Sequence, residues 1–142
     1  SYGALALVLA LGLRWQGLET AAGSGETFAA FALISLAISS RAGLPLALLW
    51  MPAARADGMG KSAAGTDLLQ AAIALAIAAL TMAALIGPSA AMAVLAAQAG
   101  VQLGFGWVAM RQIGGQSGDV LGAAQQLAEI AGWLVLAAVC AG

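Results

Sequence analysis

The amino-acid sequence predicts an all-α fold, a polytopic transmembrane bundle of about five spanning helices forming one membrane domain over residues 1–142. Three observations predict it. Hydrophobic residues make up 63% of the chain and charged residues only 8%, against roughly 25% charged in an ordinary soluble domain. The mean hydropathy is +0.98. The apolar residues also fall into runs approaching the ~20 residues that a helix needs to cross the hydrocarbon layer, divided by short polar segments. Five basic and six acidic side chains are too few to coat a water-facing surface of this size. The glycines are spread through the apolar runs, as in helices whose backbones approach closely in lipid.

The first run, Gly3 to Leu13, is short but extends through Trp15 to Leu18, and the glycines around Ser24 break it. The second, Thr27 to Met51, is long enough to span and carries Arg41 and Pro45. Pro52 to Thr66 is polar and reads as a loop. Asp67 stands where an acid favours the start of a third helix, which runs to Ile86. Gly87-Pro88 makes a tight turn into a fourth helix that reaches about Met110. Arg111 to Asp119 forms the second polar loop, and a fifth helix completes the chain.

This count puts both polar loops on one side together with Ser1. That side holds Arg55, Lys61 and Arg111, whereas the other holds Arg14 with Glu19 and Glu26. The excess of basic residues assigns the polar loops to the cytoplasm. A start at Ser1 without a charged leading segment does not resemble a signal peptide, and the chain reads as part of a longer polypeptide.

Composition also excludes function classes. Histidine is absent and there is one cysteine, so zinc sites, Ser-His-Asp triads and histidine-ligated haem are not expected. A metal here would be held by carboxylates and suit magnesium or calcium. A net charge of −1 without a basic stripe gives no nucleic-acid surface.

Several polar residues stand where they are costly. Arg41 lies about 15 Å deep from the cytoplasmic end of its helix at ~1.5 Å per residue. An unpaired arginine there costs about 2.5–3.5 kcal/mol on insertion scales. Glu129 lies at a similar depth, so the two are read either as a buried pair or as an Arg41 that snorkels and a Glu129 that is protonated and hydrogen-bonded. Gln125 or Gln126 shares a helix face with Glu129, and Gln98 and Gln102 repeat the spacing on the fourth helix. These residues are read either as walls of one polar cavity or as plain interhelical hydrogen bonding.

Both loops carry candidate binding residues. Arg55 to Ser62 (RADGMGKS) ends like a phosphate-binding P-loop. Arg55 occupies the place of its first glycine and no strand precedes it, so only a basic loop toward phosphate or lipid headgroups is implied. In GGQSGDVLGA (Gly114 to Ala123), two glycines permit unusual backbone angles and Ser117 or Asp119 can cap the next helix. Free N–H groups at a helix start favour phosphate, and an adjacent Asp favours a divalent cation. A tight turn with a helix cap and Gly118–Gly122 packing is the structural alternative.

That string, extended to GGQSGDVLGAAQQLAE, resembles the C-terminal signature of the cobalamin synthase family, the adenosylcobinamide-GDP ribazoletransferases, roughly GGxTGDxLGAxxExxE. SYGALAL resembles the family's TYGxLAL segment, Ser40-Arg41 its SR pair, and RADGMGK a loop ending in Gly-x-Gly, all in family order. The resemblance implies a bacterial cytoplasmic-membrane enzyme that joins adenosylcobinamide-GDP to α-ribazole or its 5′-phosphate, releases GMP and uses Mg2+. It implies Asp119 and Arg41 as catalytic residues, with Asp119 also as metal ligand. It implies Gly114, Gly115, Gln116, Ser117, Arg55, Lys61 and Glu129 as substrate-binding residues. Two departures accompany it. Gln126 stands where the family has a glutamate, and the family's preceding DGxxDxxDG motif is not in these residues. The expectation is a C-terminal half, inactive alone, that needs the acidic half or association with another copy. The alternative is a small transporter or channel segment with a polar half-pathway.

Overall fold

In the computed structural model, which describes residues 2–54 and 66–141, six helical segments are present among the described residues. They are α1 (Tyr2–Gly23), α2 (Glu26–Ala42), α3 (Leu44–Trp50), α4 (Leu68–Ile86), α5 (Pro88–Ile113) and α6 (Gly118–Ala141). Among the described residues four spans are long and apolar enough to cross a membrane: Glu26–Trp50, Leu68–Ile86, Pro88–Ile113 and Gly118–Ala141. The 22-residue α1 is equally long, but Arg14, Gln16, Glu19 and Thr20 make its second half too polar to join that set. The chain is an integral membrane protein. Large apolar side chains such as Leu7, Val8, Leu80 and Met92 are each more than 60% exposed on the bundle's outside. Such an outer surface suits lipid and would be unusual in water.

The expected second helix is divided in two. Gly43 ends α2 and Pro45 sits in the first turn of α3, where proline supplies no N–H to the turn before it. The Gln102 side chain of α5 fills the break, its Nε2 donating to Ser40 O at 2.8 Å. A freed carbonyl in a membrane helix needs such a partner. The oxygen of the same amide lies where a Cβ on residue 43 would be, so a larger residue there would displace the Gln102 amide.

α2 and α6 form the middle of the bundle. α2 packs on α1, α4 and α6, and α6 packs on α1, α2 and α5. Arg14 faces Glu129 and Gly17 faces Trp133, so α1 and α6 run parallel. Leu36 lies at Gly132 and Ser40 at Gln125, so α2 and α6 run antiparallel.

Three layers follow along the bundle axis. At the end that holds the 24–25 and Gly87 turns, Ala21, Ala32, Leu36, Met82, Val94, Trp133 and Leu136 belong to one apolar core. Polar side chains meet at mid-height. At the other end a cavity of about 490 Å3 lies beneath the polar loops, lined by α3, α4, α5 and α6.

Candidate functional site: a loop clamp above a buried polar network

The two polar loops meet at one end of the bundle. Ala53 and Gln116 form a parallel β-bridge, in which Gln116 N donates to Pro52 O at 2.8 Å and Ala54 N to Gln116 O at 2.9 Å. Gly114 caps α5 in the left-handed region, φ 73°, where glycine avoids the Cβ clash. Gly115 is needed for a different reason: a Cβ there would strike the Pro52 carbonyl oxygen and sit 3.0 Å from Ala54 N. Both are backbone atoms and cannot swing aside. The paired glycines therefore serve one turn and one close approach.

The loop then starts α6. Ser117 Oγ accepts from Val120 N at 3.4 Å, a weak cap, and Asp119 stands exposed in the first turn. Gln116 is only 3% exposed, and its side-chain oxygen is buried without a protein partner among the described residues. The exposed first turn of α6, with its free N–H groups and positive dipole end, suits an anion. Arg55 and Lys61, expected to contribute from the other loop, lie outside the described residues.

Glu129, eleven residues into α6, organises the mid-height network. Its Oε2 accepts from Gln125 Nε2 at 2.7 Å and faces Ser40 Oγ at 3.5 Å. Gln125 Nε2 also reaches Ser40 Oγ at 3.2 Å. Gln125, one turn before Glu129, is thus the glutamine that shares its face. Gln126 is exposed and donates to Gln125 Oε1 at 3.1 Å. Gln98 is 3% exposed, deeper than Gln102, and neither of its amide atoms has a protein partner among the described residues.

The pairing of Arg41 with Glu129 is present at 4.0 Å, but another arginine stands closer. The closer ionic partner of Glu129 is Arg14, at 3.2 Å. The Arg41 side chain is 56% exposed, and its Nη1 donates at 2.6 Å to Ala37 O on its own helix. Arg14 had been assigned to the opposite side with Glu19 and Glu26. It instead lies twelve residues into α1, level with Glu129, because α1 continues to Gly23 and runs parallel to α6. A twelve-residue count from Tyr2 was the available signal. The guanidinium faces the carboxylate without an aligned N–H, leaving Nε and Nη2 buried without hydrogen-bond partners among the described residues. Of the two readings of the polar residues, interhelical hydrogen bonding is the one that Gln102, Gln125 and Glu129 make, and Gln102 alone among the polar residues lines the cavity beneath the loops, which is otherwise apolar.

The candidate residues therefore form two groups. Asp119, Ser117, Gln116, Gly115 and Gly114 lie at the loop end, whereas Arg41 lies with Glu129, ten residues further along α6. At ~1.5 Å per residue the two levels are about 15 Å apart. No group of three or more Asp, Glu, Cys or His among the described residues could enclose a metal. At the loop end the described carboxylates are Asp119 and Asp67, of which Asp67 accepts from Gln70 N as the cap of α4, while Glu129 is engaged within the bundle. Magnesium commonly takes one or two carboxylates and completes its shell with substrate phosphates and water. Asp119 fits that mode, and not an all-protein cage.

Comparison with known proteins agrees with the sequence motifs. The profile of the family described as cobalamin-5-phosphate synthase matches residues 1–137. The chain is 40% identical over 140 residues to an adenosylcobinamide-GDP ribazoletransferase of Bradyrhizobium diazoefficiens, covering 97% of this chain and 52% of that protein. Proteins of the same name from Mesorhizobium japonicum and Azorhizobium caulinodans are 38% and 43% identical, with 95% and 92% of this chain covered and 51% of each relative. The chain thus spans about half the length of the curated relatives it matches. No solved structure matches it.

Proposed function

Since the chain belongs to the cobalamin-5-phosphate synthase family, we propose that it forms the membrane-embedded part of an adenosylcobinamide-GDP ribazoletransferase. The acceptor is α-ribazole or its 5′-phosphate, and the enzyme lies in the bacterial cytoplasmic membrane with the two polar loops toward the cytoplasm. The observation that carries this reading is the backbone bridge between Pro52–Ala54 and Gln116, which fixes the family-like GGQSGD loop over the start of α6.

In the reaction the acceptor hydroxyl attacks the phosphorus attached to the cobinamide side chain. A new P–O bond forms, the bond from that phosphorus to the bridging oxygen of GDP breaks, and GMP leaves. Such transfer depends mainly on positioning and on offsetting phosphate charge. Asp119 orients the acceptor hydroxyl and accepts its hydrogen bond, while backbone N–H groups from Ser117 onward take a phosphate oxygen. Gly114, exposed on the loop, allows the phosphate to approach the backbone closely, while Gly115 holds the loop against Pro52. Asp119, with substrate phosphates, would hold Mg2+, which would supply charge neutralisation to the transferred group. Arg41, half-exposed and about 15 Å along the bundle at ~1.5 Å per residue, offsets charge on a further part of an extended substrate. Glu129 sets that guanidinium's position from 4.0 Å. Arg55 and Lys61 supply cations from the neighbouring loop.

A transport path would need continuous polar lining through the far half of the bundle, where Ser35 and Gln98 are isolated buried polar side chains beside an apolar cluster. GMP release from adenosylcobinamide-GDP and α-ribazole 5′-phosphate, measured on the enzyme in its membrane, tests the site. Asp119→Asn is expected to lower turnover by about 10²–10⁴, the range for a positioned acid–base group. Unchanged turnover would remove Asp119 from the mechanism.

A further inference from the structure

Three arginines are among the described residues, and their surroundings differ. Arg14 and Arg41 both face Glu129. Arg111 has no carboxylate within ion-pair distance among the described residues. Its partner is a ring. The guanidinium carbon lies 3.9 Å from the centroid of Trp107, one turn earlier on α5, well inside the ~6 Å reach of a cation–π contact. The direction follows from helix geometry, because long side chains lean back over the turn before their own Cα. This contact draws the charge away from the open carbonyls at the end of α5, which favour a cation. It also leaves the guanidinium N–H groups without a protein acceptor among the described residues.

The surface around this pair faces lipid. Leu103, Trp107, Met110 and Ile113 are exposed along the same stretch of α5, and Arg111 stands in its last turn, at the level of the polar loops. An indole beside a cation at the end of an apolar span marks the headgroup level of a bilayer. A charge held there with no carboxylate to offset it selects an anion. The flat, forked donor set of arginine matches a phosphate in two points, which an ammonium does not.

We propose that Arg111 and Trp107 form a binding site for the phosphate of an anionic phospholipid, with an acyl chain lying along Leu103 on the outside of α5. The phosphate takes the guanidinium N–H groups, and the ring keeps the arginine from retracting into water. Charge decides the occupant, since a zwitterionic headgroup brings its own cation and gains less from an uncompensated guanidinium. Gly114 follows three positions later, so the site stands where the loop to Gln116 leaves α5, apart from the groups used in the proposed transfer. A soluble phosphate shares this chemistry, and the experiment separates the two.

The test uses the whole chain in lipid nanodiscs, with acyl-brominated phosphatidylglycerol or phosphatidylcholine as quencher. Trp107 emission is read as the difference between each protein and its own Trp107→Phe counterpart. The anionic lipid is expected to associate about fivefold more tightly than the zwitterionic one, the scale for one arginine at an anionic membrane surface. Arg111→Gln is expected to abolish that preference. Arg111→Lys, which keeps the charge without the planar fork, is expected to lose most of it. Position 111 is exposed, so both variants are expected to keep the wild-type unfolding midpoint. Equal quenching by the two lipids overturns the proposal, as does a preference that survives Arg111→Gln. A lysine as effective as the arginine also overturns it, because diffuse surface charge then suffices. Displacement by sn-glycerol 3-phosphate, at an ionic strength matched with sodium chloride, does the same by identifying a soluble anion in place of a lipid.

Discussion

Gly115→Ala tests the loop clamp, and its effect follows from the geometry. The added Cβ meets the Pro52 carbonyl oxygen, with Ala54 N at 3.0 Å and the Pro52 carbonyl carbon at 3.1 Å. None of these is a side-chain atom able to rotate away, so residues 115–116 must lift from residues 52–54. Lifting breaks the 2.8 and 2.9 Å backbone bonds. At about 0.5–1.5 kcal/mol net per hydrogen bond, the clamp loses about 1–3 kcal/mol. That corresponds to a roughly 5–150-fold shift in the equilibrium between closed and open clamp. Hydrogen–deuterium exchange of the Gln116 and Ala54 amides reads the shift directly, because both amides are bonded only while the clamp is closed. Exchange in the middle of α6 is expected to stay at its wild-type rate, since clamp opening is local. Gly122→Ala provides the control, as nothing lies within 4 Å of a Cβ at that position. If Gly115→Ala leaves protection at Gln116 and Ala54 within twofold of wild type, the close approach does not require glycine and the clamp argument is wrong.

Two other perturbations address the layers below. Glu129→Gln removes the charge that faces Arg14 and one of the two oxygens of the group that accepts from Gln125 and Ser40, and is expected to lower Tm more than Arg41→Ala does. The Arg14→Met, Glu129→Gln double variant should recover part of the loss, because an arginine left without its carboxylate at mid-height is costlier than losing both partners; strictly additive losses would mean that the pair is not coupled. Gly132→Ala brings a Cβ 2.5 Å from Leu36 Cδ2 and 2.9 Å from Gln98 Nε2. Overpacking there is expected to cost about 1–3 kcal/mol in detergent unfolding, and an unchanged midpoint would show that α2 and α6 do not pack so closely.

What the sequence determined by itself is the solvent and the local order. Hydropathy fixes lipid as the surroundings, because a chain with 8% charged residues cannot solvate its own surface. Run lengths locate the helices, with α4 ending at Ile86 as expected and α5 and α1 each running a few residues further. Those overruns carry Arg111 at one end and Glu19 and Thr20 at the other, polar residues that remain helical because helix ends reach the interface. The alternation of spans also placed the two polar loops at one end, where the Ala53–Gln116 bridge joins them. The cost of burying Arg41 pointed to a partner for it, and depth alone pointed to Glu129.

Only the tertiary structure decided which arginine stands closer to Glu129. Periodicity says which residues share a face of one helix, and so Gln125 could be grouped with Glu129. It does not say how helices are rotated and shifted against each other. That rotation brings Arg14 within 3.2 Å of Glu129 and leaves Arg41 half-exposed. It also sets Ser40 between α5 and α6, where Gln102 and Gln125 both reach it. The same holds for Gly115, whose need for glycine comes from the Pro52 carbonyl sixty-three positions earlier in the chain and not from its own backbone angles. The cavity is the clearest case. Its lining residues come from four helices and read in sequence as ordinary lipid-facing or core positions. Only their convergence around an unfilled volume beneath the loops distinguishes them.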